Sequence, residues 1–204
     1  MGLIQIVLYL VFVAIVAAIP FDIVCPWLLN KFREIDSQLE KPETLLYMSK
    51  APFFAFIAKV LDFAKGYGLL FVGFYYFDEL TVLLAVGIML VAHNWSPATK
   101  FQNRKHFFLI LWGLYSLLYV PFFIVFPISF IVFSLVINSF MVGLILNVIF
   151  MILCVWFLQL EPIFLLINFI VFVVTFIAFG IQLFQHFEGE NNLSILKSFN
   201  NRSV

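Results

Sequence analysis

Residues 92–105 read Ala-His-Asn-Trp-Ser-Pro-Ala-Thr-Lys-Phe-Gln-Asn-Arg-Lys. The run gathers a histidine, an amide, a proline and three basic residues between two long apolar stretches. Downstream, residues 107–184 are almost pure hydrocarbon, with Glu161 their only charge. Upstream the chain is apolar over residues 3–29, 51–77 and 80–92, with a charged loop at 30–50 and an acidic turn at Asp78-Glu79. A polar loop set between continuously apolar segments is the pattern of a chain that enters and leaves a membrane.

Composition leads to the same class. Of 204 residues, 65% are hydrophobic and 11% charged, against about 25% charged in soluble domains. Lipid obliges the backbone to satisfy its own hydrogen bonds in helices or closed barrels. Barrel strands alternate polar and apolar residues, and these runs do not. The expected fold is an all-α polytopic integral membrane helix bundle. Formal net charge is zero, which gives no general attraction to nucleic acid. Cys25 and Cys154 sit in apolar surroundings and form neither a disulfide framework nor a metal signature, so no metal or cofactor is expected. No Lys or Arg precedes the apolar run at 3–19, so a first membrane helix is expected there rather than a cleaved signal.

Punctuation divides the chain. Helix one is expected over Gly2–Leu29, with Pro20 and Asp22 marking a kink or an early exit, helix two over Ala51–Phe77, and helix three over Leu80–Ala92. Pro121, Pro127, Asn138-Ser139 and Gln159–Pro162 then break the remainder into helices near 107–121, 122–137, 140–158 and 163–184. Seven spans is the expected count; the shortness of the two pieces at 107–137 leaves six open. With seven, one side holds Lys31, Arg33, Lys41, Lys50, Lys100, Arg104, Lys105, Lys197 and Arg202, and the other holds Asp78, Glu79 and Glu161 with no Lys or Arg. The positive-inside bias then puts the N-terminus outside and the basic loops and C-terminus in the cytoplasm. The expected organisation is a single transmembrane domain over 1–185 and a cytoplasmic tail over 186–204, in the plasma membrane.

Lys59, Asp62 and Lys65 recur at intervals of three, so neighbours in the series share a helical face. Ionisable groups at membrane depth are costly and point to function. In the bland reading Asp62 pairs with one lysine and the other snorkels to the headgroups; in the functional one the surplus positive charge serves a bound anion. Gly66 and Gly68 would allow close helix packing or a local break. Asn147, Asn168 and Gln182 are expected to act as interhelical hydrogen-bond glue, and Trp95 as an interfacial anchor.

The motifs resemble the acyl-phosphate-dependent glycerol-3-phosphate acyltransferases of bacterial membranes, the PlsY type. The matching pieces are Ile-Pro-Phe at 19–21, Leu-Asp-Phe-Ala-Lys-Gly at 61–66, His-Asn-Trp-Ser-Pro at 93–97 followed by Lys100-Phe101 and Lys105, and Gly-Glu-Asn at 189–191. The resemblance covers nearly the whole chain. It implies transfer of an acyl chain from acyl phosphate to the 1-hydroxyl of glycerol-3-phosphate at the cytoplasmic face, in phospholipid synthesis. Both substrates are anionic, so Lys65, Lys100, Arg104 and Lys105 would neutralise phosphates. His93 and Asn94 would orient the acceptor hydroxyl or stabilise the developing oxyanion, with Asp62 and Lys59 in support. Membrane lipids and these two substrates are the expected partners.

Three elements depart from the family. The glycine-rich phosphate loop is replaced by Ser37–Met48, which carries acids where glycines belong. The Gly-Gly-Lys-Gly after Phe101 reads Asn103-Arg104-Lys105-His106, and the Asn and Arg of the third motif fall on Ile181–His186, which reads Ile-Gln-Leu-Phe-Gln-His. Weak or lost turnover is therefore the expectation. The alternatives are a non-catalytic scaffold that kept the bundle, and a small lipid or anion transporter, for which no internal repeat is visible.

Overall fold

Proline and short polar breaks cut this chain into helices. The computed structural model describes residues 2–21, 24–25, 52–96 and 107–187, with backbone alone at 52, 54 and 181–187. Among these residues the protein is all-α, with seven helices: α1 (Leu3–Ala18), α2 (Pro52–Tyr76), α3 (Glu79–Asn94), α4 (Phe107–Leu118), α5 (Phe122–Ile137), α6 (Phe140–Phe157) and α7 (Pro162–Phe187).

The local chemistry of the ends explains most boundaries. Helix α1 stops eleven residues short of the expected Leu29. Ile19 precedes Pro20, which disfavours helical backbone at 19, and Ile19 is extended at φ −64, ψ 120. Asn138 closes α5 in the left-handed region at φ 55, ψ 32, and Ser139 caps α6 by accepting from the Val142 N–H. Pro162 opens α7, where a missing N–H costs nothing. Pro127 lies inside α5 and cannot donate to the carbonyl four residues back. That carbonyl, on Phe123, accepts instead from Trp112 Nε1 of α4 at 2.8 Å.

Helix α6 and residues 162–180 of α7 are long and apolar enough to cross a membrane. Helix α2 has the length, at 25 residues, but every 18-residue stretch of it contains Lys59, Asp62 and Lys65. The other four helices have 12 to 16 residues, roughly 18–24 Å at ~1.5 Å per residue, against a hydrocarbon core of ~30 Å.

Packing closes six helices into a ring in the order α2, α4, α5, α6, α7, α3, and α1 lies outside it against α3. The interior is one apolar cluster that includes Met89, Leu111, Tyr115, Phe126 and Phe179. The α2–α4 seam brings backbones together. A Cβ on Gly66 would stand 2.0 Å from the Ile110 carbonyl oxygen, and one on Gly113 would stand 2.1 Å from that of Phe63. Gly68, expected to share this role, has nothing within 4 Å of its would-be Cβ. Where α5 meets α6, Gly143 makes room for Ser134, whose Cα would lie 2.7 Å from an added Cβ.

Candidate functional site: a polar node at the end of α1

The C-terminus of a helix leaves carbonyls without intrahelical donors, and in apolar surroundings each needs a partner. Two of those at the end of α1 are met from other helices. Lys65 Nζ of α2 donates to the Ile19 carbonyl at 2.5 Å, and Ser96 Oγ, just past α3, donates to the Ala18 carbonyl at 2.7 Å. Adjacent carbonyls thus tie three elements at one point. The partial negative charge of the helix end also favours the ammonium.

Lys65 has a second partner in Asp62, one turn earlier on α2. The carboxylate accepts at 2.9 Å, and both side chains are almost wholly buried, with residue exposures of 2% and 3%. The ammonium also lies 4.3 Å from the centre of the Phe21 ring, close enough for cation–π attraction. The charge of Lys65 is therefore matched by a carboxylate, a helix terminus and an aromatic face. An anion approaching Lys65 would compete with Asp62 for it.

The last turn of α3 supplies the other expected residues. His93 and Asn94 are fully buried. The His93 ring stacks on Phe107 of α4, with centroids 6.3 Å apart and planes at 26°, and Phe107 meets Phe179 of α7 at 5.8 Å. His93 therefore sits where α3, α4 and α7 converge, three residues before Ser96 turns to α1.

Of the residues singled out by sequence, Asp62 and Lys65 touch. His93 and Asn94 stand on the helix turn that leads into Ser96, which reaches α1. Lys59 is half-buried and has no ionic partner among the described residues. Lys100, Arg104 and Lys105 lie outside the described residues, as do the Ser37–Met48 and Asn103–His106 stretches. Residues 181–186 continue α7, with side chains outside the description. Sequence reasoning quoted Ser96 and Phe21 only as parts of motifs, with no role, and passed over the Ala18 and Ile19 carbonyls. Pro20 was the available signal, since a helix end before proline leaves carbonyls that must be satisfied.

Buried asparagines make neutral polar contacts across the bundle elsewhere. Tyr115 donates to Asn168 Oδ1 at 2.8 Å, joining α4 to α7. Asn147 of α6 donates to the Phe126 carbonyl at 3.2 Å and lies 2.6 Å from Ser129 Oγ of α5. Both asparagines are interhelical glue, as expected. Gln182 falls among the side chains outside the description.

Compared with protein-family models, with curated proteins and with solved structures, the chain matches none.

Proposed function

We propose that the protein is a multi-pass membrane protein with its basic loops in the cytoplasm, built on an acyltransferase-like bundle whose transfer of acyl groups to glycerol-3-phosphate is weak or lost. Support for the membrane reading comes from the outer surface. Six of the seven helices expose large apolar side chains, among them Ile4, Phe53, Leu80, Val136, Phe157 and Phe169. Apolar patches of such extent are rare on soluble monomers. Helix α4 exposes none within its span, consistent with its 12 residues and its place between α2 and α5.

The observation that carries the reduced-activity reading is the replacement of the family's phosphate-handling elements at 37–48, 103–104 and 181–184. The Asp62 and Lys65 of the buried 2.9 Å pair belong to the motif that the resemblance shares. Hydrogen bonds to charged groups are worth ~1.5–3 kcal/mol each. Three phosphate-handling elements are replaced in the sequence, so roughly 4.5–9 kcal/mol of binding is forgone if one such bond goes with each. At 1.36 kcal/mol per tenfold, that is on the order of 10³ to 10⁶ in rate.

Proteoliposomes supplied with acyl phosphate and labelled glycerol-3-phosphate test the catalytic half. Turnover far below the ~1–10³ per second of ordinary enzymes is expected, and turnover within that range, abolished by Lys105→Ala, overturns it. Topology is tested in a Cys25→Ser/Cys154→Ser background. Single cysteines beside Asp78 and at Thr99 should react with an impermeant thiol reagent from opposite sides of the membrane; labelling of both from one side sinks the seven-span arrangement.

A further inference from the structure

One ridge of α2 repeats every four residues: Lys59, Phe63, Tyr67, Phe71 and Tyr75. Such positions form a continuous row on a helix surface. The four rings lie parallel in sequence, with centroids 6.4, 6.2 and 6.4 Å apart and planes within 16°. Tyr67, Phe71 and Tyr75 are exposed, and among the described residues the Tyr67 hydroxyl has no hydrogen-bond partner. At its far end the row opens into a recess of about 240 Å³ lined by Phe71, Phe74, Tyr75, Leu117 and Phe164. At its near end stands Lys59, half-buried and without an ionic partner among the described residues.

Depth matches this row to one lipid. From Asp78, at the outer turn, Lys59 is 19 residues away, roughly 28 Å along the axis at ~1.5 Å per residue. That is close to the ~30 Å thickness of the hydrocarbon core, so Lys59 falls at headgroup level on the basic side. Phe71 is roughly 18 Å further in, near the ~15 Å depth of one leaflet.

We propose that this ridge holds one anionic phospholipid of the cytoplasmic leaflet, with its phosphate at Lys59 and an acyl chain laid along the rings into the recess. The occupant follows from charge and shape. A cation at headgroup level selects an anionic head, and the recess is far too narrow for a helix but suits a chain end. The Tyr67 hydroxyl gains an acceptor in an ester carbonyl of the lipid. The site rests on the membrane reading above and is independent of acyl transfer.

Native mass spectrometry of the full chain, released from micelles containing phosphatidylglycerol and phosphatidylcholine of matched chains, tests it. The expected result is one retained lipid with phosphatidylglycerol preferred. Lys59→Gln should cut that preference about fivefold, ~1 kcal/mol for one basic residue at an anionic surface. Phe71→Ala, at an exposed position, should lower retention of both lipids and leave the preference intact. An unchanged preference in Lys59→Gln overturns the site, as does a lipid-free dimer whose Tyr67→Cys variant cross-links to itself. A chain that alkaline carbonate extracts from membranes overturns the membrane reading itself, whereas equal retention of the two lipids by an inserted chain overturns the lipid site alone.

Discussion

Helix α2 is held by opposite means on its two sides. Toward α1 it offers charge: Lys65, paired with Asp62, reaches the open end of a helix, and Tyr9 of α1 returns a hydrogen bond to the Leu69 carbonyl at 2.8 Å. Toward α4 it makes no side-chain hydrogen bond or ion pair among the described residues; Gly66 and Gly113 let the two backbones meet. In the membrane setting proposed above, hydrocarbon solvent explains the division. Between apolar helices in lipid the hydrophobic effect supplies no attraction, so close packing and hydrogen bonds must. A helix middle has its backbone bonds satisfied and can be held by van der Waals contact through small residues. A helix end has orphan carbonyls and requires donors. The charged grip is therefore placed at the end of α1, and the glycine grip falls along the middle of α2.

The largest expected effect breaks the charged side. Lys65→Met leaves Asp62 ionised and buried without its cation, and removal of one partner from a buried pair costs ~3–5 kcal/mol. Adding Asp62→Asn should return most of this, leaving ~1.5–3 kcal/mol for the lost hydrogen bond from the ammonium to the Ile19 carbonyl. Detergent-titrated unfolding of the two variants measures both numbers. Equal stability of the single and double variants would mean that Asp62 does not depend on the Lys65 ammonium.

The glycine side comes next. Gly66→Ala places a methyl against the Ile110 carbonyl, and overpacking of this kind costs ~1–3 kcal/mol. Gly68→Ala, two residues on and facing open space, should be neutral or gain up to ~1 kcal/mol from helix propensity. A matched pair of melting curves compares them, and similar shifts in both would remove the close α2–α4 approach from the account. Smallest is the neutral amide contact between α5 and α6. Asn147→Leu should cost ~0.6 kcal/mol and at most ~1.7, measured by the same unfolding titration, and a loss near that of Lys65→Met would erase the distinction between charged and neutral grips.

Much of the helix plan was legible in the residues. Breakers at Pro121, Asn138-Ser139 and Gln159–Pro162 placed α5 at its observed bounds and α6 and α7 nearly so, because proline and left-handed turns act on their own backbone. The role of Gln182 and the basic loop at 100–105 remained expectations. The partner in the ion pair was not readable: Asp62 has a lysine three residues to either side, and the fold pairs it with Lys65.

Neighbours across the bundle were not legible. Gly66 and Gly68 look alike in sequence, yet only Gly66 meets another backbone. Nothing local tells Tyr115 that Asn168, 53 residues on, will accept its hydrogen bond, or Lys65 that the end of α1 will need a donor. An amphipathic helix announces its inner face through its polar residues. These helices are apolar almost all round, so periodicity has little to orient. The sequence by itself determined most helix boundaries from Pro121 onward, since those signals act within a turn or two of the backbone. Which faces meet was decided only by tertiary packing, through glycine clearance, orphan carbonyls and the few polar groups that could find one another.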